Sequence, residues 1–359
     1  MNDDAIHKKY MNRCIELARL GLGSTAPNPM VGAVIVSGNH IIGEGYHHKA
    51  GEPHAEVNAI RSVKDKDLLK NSMMYVNLEP CSHTGKTPPC ADLIIENRIP
   101  VVIIGTRDPH DMVAGKGIER LNRAGVVTKT GICCEQCIEL NKRFFTFHSL
   151  KRPYIILKWA QSADGFIDVI RHKADPAQPN WISGEISRML VHKWRTEEQA
   201  IMVGTNTALL DNPQLNARHW PGKSPMRIVL DRTLRLPSDL HLFNGRLPTL
   251  IINESKDEES ESCIYKKVPF NTKLLPSLMT LLHQRDIQSV IVEGGKKLLE
   301  SFISAGLWDE ARIFTGTQNF VRGIRAPEIK GHSKRETVIE KDVLTITLRC
   351  SDFHNDLHC

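Results

Sequence analysis

The chain has 359 residues, 41% hydrophobic and 25% charged, with a formal charge of +6 and nine cysteines. That length exceeds one typical hydrophobic core and predicts two domains of an ordinary soluble globular protein. It has no apolar run of membrane-spanning length, the start Met1-Asn2-Asp3-Asp4 is unlike a secretory leader, and the five Tyr and five Trp are not interleaved with a basic stripe for nucleic acid.

In chain order, residues 7–20 space their apolar side chains at helical intervals and stop at Gly21. Residues 31–37 and 41–46 read as strands joined by a Gly38-Asn39 turn. A helix starts near His54, a strand covers 73–78, a further helix starts at Cys90 and a buried strand covers 101–105. This order predicts a layered α/β domain. The pattern resets at Lys151-Arg152-Pro153. From there strands at 154–159, 199–204, 226–231, 249–253 and 289–293 alternate with helices, a second α/β domain. We place the two domains at 1–148 and 149–359. The charged run from Glu254 to Glu261 reads as a solvated loop. The odd cysteine count weighs against a disulfide framework and fits a reducing cytoplasm.

The chemistry concentrates around His54-Ala55-Glu56, Glu79-Pro80-Cys81 and Pro88-Pro89-Cys90. One imidazole and two thiolates give Zn²⁺ three ligands and leave a fourth position for water, as catalytic rather than structural zinc requires. Glu56, which is not a ligand in this reading, occupies the place of a proton shuttle between that water and a departing amine, the division of labour of zinc nucleobase deaminases. A structural zinc site would need a fourth protein ligand.

With both halves in view, the chain resembles the bifunctional riboflavin-biosynthesis deaminase-reductases. The first half carries Pro27-Asn28-Pro29-Met30-Val31-Gly32, Gly51-Glu52-Pro53-His54-Ala55-Glu56 and the run from Glu79 to Cys90. The second carries Lys158, Ser162-Ala163-Asp164-Gly165, Trp181-Ile182-Ser183-Gly184, Val203-Gly204-Thr205, Asp211-Asn212-Pro213-Gln214-Leu215 and Val292-Glu293-Gly294-Gly295. The resemblance implies a cytidine-deaminase-like three-layer domain followed by a dihydrofolate-reductase-like α/β domain. Absence of a GxGxxG run agrees with the latter. It implies hydrolytic deamination of 2,5-diamino-6-(5-phosphoribosylamino)pyrimidin-4(3H)-one, then NADPH-dependent reduction of the ribosyl group to ribityl. It also implies a cytoplasmic homo-oligomer acting on a small molecule, with Zn²⁺ and NADPH as cofactors and no nucleic-acid or membrane partner.

Position by position, the resemblance puts zinc on His54, Cys81 and Cys90, proton transfer on Glu56, and deaminase substrate contacts on Asn28, His47, His83 and Lys86. In the reductase half it puts substrate contacts on Lys158, Arg195, Leu215, Arg218 and Glu293. The cofactor falls to Ala160, Trp181, Thr207, Asp211, Gly294, Gly295 and Lys296. Arginines suit a phosphate, and a glycine turn opening a helix gathers backbone amides for one. Taken alone, Asn28 is also a turn residue between two prolines, His47 a surface imidazole, and Gly294-Gly295 a plain strand-to-helix turn. Cys133, Cys134 and Cys137 read as free thiols rather than a second metal site.

One segment departs from the family pattern. Between Gly165 and Trp181 the usual small residues are replaced, and Pro179, which has no donor, stands where a substrate-binding Ser is usual. Either Asp168, Arg171 or a backbone group takes over that contact, or the second half is an inactive or altered reductase. Two further readings compete: an RNA-base deaminase with a C-terminal binding domain, and a zinc-stabilised module without catalysis.

Overall fold

The computed structural model describes residues 3–82, 88–110, 114–171, 177–331 and 333–349. His83 and Lys86, expected at the deaminase substrate, therefore lie outside the described residues. The chain divides into one compact unit running through Lys151 and another beginning at Arg152.

The first unit is a five-stranded sheet between two layers of helices. Its elements are α1 (Asp3–Arg19), β1 (Gly32–Ser37), β2 (His40–Tyr46), α2 (Ala55–Ser62), β3 (Met73–Leu78), α3 (Cys90–Glu96), β4 (Val101–Thr106), α4 (Lys116–Arg123), β5 (Val127–Thr130), α5 (Cys134–Leu140) and α6 (Lys142–Leu150). The strand order is β2-β1-β3-β4-β5, antiparallel across the first three and parallel thereafter. Gly38 and Asn39 both have positive φ, the geometry a two-residue hairpin turn demands. β1 is buried on both faces, so Ala33, Val34, Ile35 and Val36 run apolar without alternation. One face packs Ile35, Met74 and Val76 against Ala59, Ile60 and Ile94; the other packs Val34, Tyr75 and Ile103 against Met11, Cys14 and Cys137.

The second unit has a ten-stranded sheet and a separate two-stranded one. It contains β6 (Tyr154–Gln161), β7 (Phe166–Asp168), α7 (Glu185–Glu197), β8 (Ala200–Gly204), α8 (Thr205–Asp211), β9 (Met226–Leu230), β10 (Thr249–Asn253), β11 (Glu258–Glu259), β12 (Cys263–Lys267), α9 (Leu274–Gln284), β13 (Ser289–Glu293), α10 (Lys296–Ser304), β14 (Glu310–Thr315), β15 (Ile324–Arg325), β16 (Ser333–Ile339) and β17 (Asp342–Leu348). In the smaller sheet β7 pairs antiparallel with β15. The order in the larger is β11-β12-β10-β9-β8-β13-β6-β14-β17-β16, parallel from β12 to β14. β13 is inserted between β6 and β8, so the sheet changes direction of winding there; ligands of open α/β sheets bind at such points, beyond the carboxyl ends of the strands.

Two expectations change. Part of the charged run is a strand: Glu258 and Glu259 pair with Tyr265 and Ile264 at the sheet edge, where Lys266 and Arg285 neutralise the acidic side chains. Charges suit an exposed edge because they discourage pairing with another chain. Cys133 and Cys137 are free thiols, whereas Cys134 is disulfide-bonded, so the free-thiol reading holds for two of the three. Among the described residues no helix is long and apolar enough to cross a membrane.

Candidate active sites

In the first unit three chain segments converge. His54 is the N-cap of α2, which places Glu56 in that helix's first turn. β3 ends at Leu78 and delivers Cys81 two residues after Glu79, while Cys90 opens α3. The Nδ1 of His54 lies 3.7 Å from Cys81 Sγ and 3.3 Å from Cys90 Sγ, and the three ligand atoms all fall within 4.8 Å of one another. A tetrahedral ion with ordinary Zn–S and Zn–N bonds sets nitrogen-to-sulfur distances of about 3.6 Å. The donors therefore fit zinc. The Cys90 amide donates to Cys81 Sγ at 3.3 Å, and the Cys90 side chain, then His54, holds the Cys81 thiol well below its usual value against its burial.

Glu56 is 3% exposed, and burial pushes its carboxyl above the usual range, with the neighbouring His54 opposing. Asn28 and His47 join the same site: Asn28 Nδ2 lies 3.1 Å from His47 Nε2, His47 Nδ1 lies 3.1 Å from the Pro53 carbonyl, and the His47 ring stands edge-on to His54 at 5.3 Å. Those bonds assign a neutral imidazole that donates from Nδ1, and burial lowers the His47 pKa in the same sense. The surface reading of His47 fails, since the ring is buried.

Sequence reasoning missed two acids. Glu79 Oε1 accepts from the amides of Gly117 and Ile118 at 2.9 and 3.2 Å, and Oε2 from those of Gly115 and Asp108 at 2.9 and 3.3 Å. It thus caps the start of α4 and fixes the strand end from which Cys81 emerges. Asp108 is buried just beyond β4, and burial, with Glu79 as a further charge, pushes it up to about 7. The "EPC" run was the available signal for Glu79, but a carboxylate beside a metal ligand does not announce a capping role.

In the second unit, Lys158 on β6 stands in register with Glu293 at the end of β13. Arg195 on α7 donates to Glu293 Oε2 and to the Asn216 carbonyl, both at 3.0 Å, while Arg218 donates to Asn216 Oδ1 at 3.0 Å. Burial lowers Lys158 despite Glu293; burial also opposes the Glu293 carboxylate, but Arg195 and Lys158 together hold its pKa below the usual value. Leu215 is buried with φ of +51°, a left-handed backbone that a leucine adopts only where its surroundings impose it. These five expected substrate residues form one connected group.

The expected cofactor residues are less continuous. Gly294 has φ of +95°, and a Cβ there would lie 2.6 Å from Thr207 Oγ1; the Gly295 amide donates to that same oxygen at 2.8 Å. The glycines therefore admit α8 close to the start of α10, whose first-turn amides lack intrahelical partners and fit a phosphate. Trp181 is 57% exposed under the Arg188 guanidinium, which lies 4.8 Å from the ring centroid. Ala160 is on β6 among the partly buried residues of the core, Lys296 reaches Glu300 on its own helix at 3.5 Å, and Asp211 pairs with Arg171 at 2.9 Å. No described contact joins Trp181, Ala160 or Lys296 directly to the Thr207–glycine cradle.

Comparison with known proteins places both halves. Residues 4–106 match the cytidine and deoxycytidylate deaminase zinc-binding region, and residues 153–318 match the RibD C-terminal domain. The riboflavin biosynthesis protein RibD of Aquifex aeolicus is 38% identical over 341 residues, spanning 93% of each chain. That of Bacillus amyloliquefaciens is 40% identical over 314 residues, 85% of this chain and 83% of the relative. Among solved structures, the diaminohydroxyphosphoribosylaminopyrimidine deaminase/5-amino-6-(5-phosphoribosylamino)uracil reductase of Thermotoga maritima superposes with a TM-score of 0.86 at 35% identity, covering 97% of this chain and 100% of that one. RibD of Acinetobacter baumannii gives 0.84 at 32% identity over the same shares. With a zinc-type donor set in the first unit and a reductase domain in the second, the chain belongs to the RibD family, the bifunctional deaminase-reductases of riboflavin biosynthesis.

Proposed function

We propose that the first unit deaminates 2,5-diamino-6-(5-phosphoribosylamino)pyrimidin-4(3H)-one and that the second reduces the ribosyl group of the product with NADPH. The observation that carries the reading is the set His54, Cys81 and Cys90 within 4.8 Å, with buried Glu56 in the first turn of α2. These three residues would hold Zn²⁺, which supplies an activated water near neutral pH when bound. Glu56 is placed to accept a proton and pass it to the departing amine. Asn28 and His47 hold the pyrimidine ring by its polar edge, and His83 and Lys86 are assigned the rest of the ligand by resemblance alone.

In the second unit Arg195 and Arg218 bind the ribose phosphate, Leu215 offers its backbone, and Lys158 and Glu293 meet the ribosyl carbon with a paired proton donor and acceptor. NADPH supplies hydride when bound. Thr207, Gly294, Gly295 and Lys296 at the start of α10 would hold its phosphates, and Ala160, Trp181 and Asp211 would contact the rest of it. The proposed setting is a cytoplasmic homo-oligomer acting on a small molecule, with the boundary between the two domains near residue 150 of the chain.

The experiment supplies the diaminopyrimidinone and records ammonia release and NADPH absorbance together, with and without a zinc chelator. Ammonia followed by NADPH oxidation, both abolished on chelation, is the expected result. Ammonia without NADPH oxidation would mean that the altered stretch before Trp181 has disabled the second site. No ammonia from zinc-loaded protein would overturn the substrate assignment.

A further inference from the structure

Among the described residues, one side chain connects the two ends of the stretch that departs from the family pattern. Arg171 NH1 donates to the carbonyls of Gln178 and Leu210 at 2.9 and 3.0 Å. Its NH2 donates to Asp168 Oδ1 at 3.1 Å and lies 2.9 Å from Asp211 Oδ1, and its Nε lies 2.9 Å from Asp168 Oδ2. The last two are ion-pair contacts set off the hydrogen-bond axis. Asp168 Oδ1 also accepts from Asn180 Nδ2 at 2.7 Å, immediately before Trp181. The side chain is only 10% exposed, and both terminal nitrogens donate hydrogen bonds, while Nε makes only the ion-pair contact to Asp168. With both terminal nitrogens committed to Gln178, Leu210 and Asp168, it serves the protein's own backbone and carboxylates.

Its partners show what it does. Asp168 ends β7, Gln178 and Asn180 close the departing stretch, and Leu210 and Asp211 end α8, whose Thr207 bonds to the Gly295 amide. A single planar cation thus ties the strand that opens the stretch, the approach to Trp181 and the helix carrying Thr207 and Asp211. Five donors in a fixed fork allow this; an ammonium has three and no fork. Without the cation, Asp168 and Asp211 would face each other as like charges in a half-buried site.

We propose that Arg171 is a positioning residue for the reductase: it holds Asp211 and the approach to Trp181 in the arrangement that receives the dinucleotide. The inference rests on the NADPH reading of the second unit. The test titrates NADPH by fluorescence into wild type, Arg171→Gln, Arg171→Lys and Asp168→Asn, with melting temperatures and separate KM values for both substrates. Expected are a roughly 10-fold weaker NADPH affinity in Arg171→Gln, partial recovery in Arg171→Lys, and a raised KM for NADPH with near-native kcat and phosphoribosyl-substrate KM. Native NADPH affinity in a folded Arg171→Gln protein overturns it, as does a loss that merely follows the melting temperature across the series. Should Arg171→Gln fail to fold, Asp168→Asn decides: weakened NADPH binding supports the role and unchanged binding overturns it. If wild type itself binds no NADPH, it is the cofactor reading that fails.

Discussion

Burial strips Glu56 of water and leaves it beside the two thiols and the imidazole of the zinc-type set. Substituting Glu56→Gln keeps size and hydrogen-bonding shape but removes the acceptor of a proton. Positioned acid-base groups contribute about 10²- to 10⁴-fold. Deamination should fall by about 10³-fold while zinc content, measured by metal analysis, stays at the wild-type level; loss of zinc together with activity would instead make Glu56 a structural neighbour of the metal. A different burial problem arises at Arg312. Its Nε donates to Glu310 Oε1 at 2.6 Å, its NH2 lies 3.6 Å from Glu198 Oε1, and its guanidinium covers the Trp194 ring. Tyr154 Oη donates to the other oxygen of Glu310 at 3.0 Å. Removing one partner of a buried pair leaves an uncompensated charge at about 3–5 kcal/mol. Arg312→Met should therefore lower stability by that order in denaturant unfolding, and Arg312→Met combined with Glu310→Gln by less. Equal losses would refute the charge argument.

At the scale of elements, the attachment of α4 to the end of β3 decides where Cys81 sits. Glu79 gathers three amides at the start of that helix and that of Asp108 beyond β4, and Gly117 permits the approach, because a Cβ there would lie 2.0 Å from the Pro80 carbonyl oxygen. Backbone cannot yield as a flexible side chain does, so Gly117→Ala must displace either the helix or the Glu79-Pro80-Cys81 turn. Glu79→Ala leaves four amides competing for water and should lower stability by about 3 kcal/mol. Both variants should also weaken zinc retention in a competition titration with a chelator. A fall in stability with unchanged zinc retention would show that α4 does not govern Cys81. The glycines on β2 make the same point about close approach: a Cβ at Gly45 would meet the Ala59 amide at 2.4 Å, so α2, and with it His54 and Glu56, can lie directly on the sheet.

At the scale of the whole molecule, two compact units each with their own core imply two separable chemistries. With the deaminated intermediate supplied directly, Glu56→Gln and chelator-treated protein should oxidise NADPH at rates within about two-fold of untreated wild type. Separation of the domains in this sense is checked by NADPH absorbance alone, without the first substrate. A parallel loss of NADPH oxidation would mean that the second unit depends on an intact zinc site. The Arg171 network bears on the same question from the other side, because its failure should leave ammonia release unaffected.

Much of this was legible in the chain itself. Hydrophobic periodicity and turn chemistry placed β10 and β13 at the residues observed, and β1, β2 and α1 to within a few residues, because those signals are local. The cluster of His54, Cys81 and Cys90 was legible because a metal demands particular atoms, and those residue types stand out wherever the fold later brings them. What the sequence could not reveal depends on contacts between distant segments. The edge strand at Glu258–Glu259 forms because β12 offers it backbone partners, against its own charge. The capping of α4 by Glu79, the burial of Asp108 and His47, and the link from Arg171 to Asp211 span dozens of residues, and nothing in local spacing encodes them. Composition and motif determined which chemistry the protein carries; tertiary packing alone decided which groups lose their water and which partners then fix them in place, since desolvation exists only once the chain has folded.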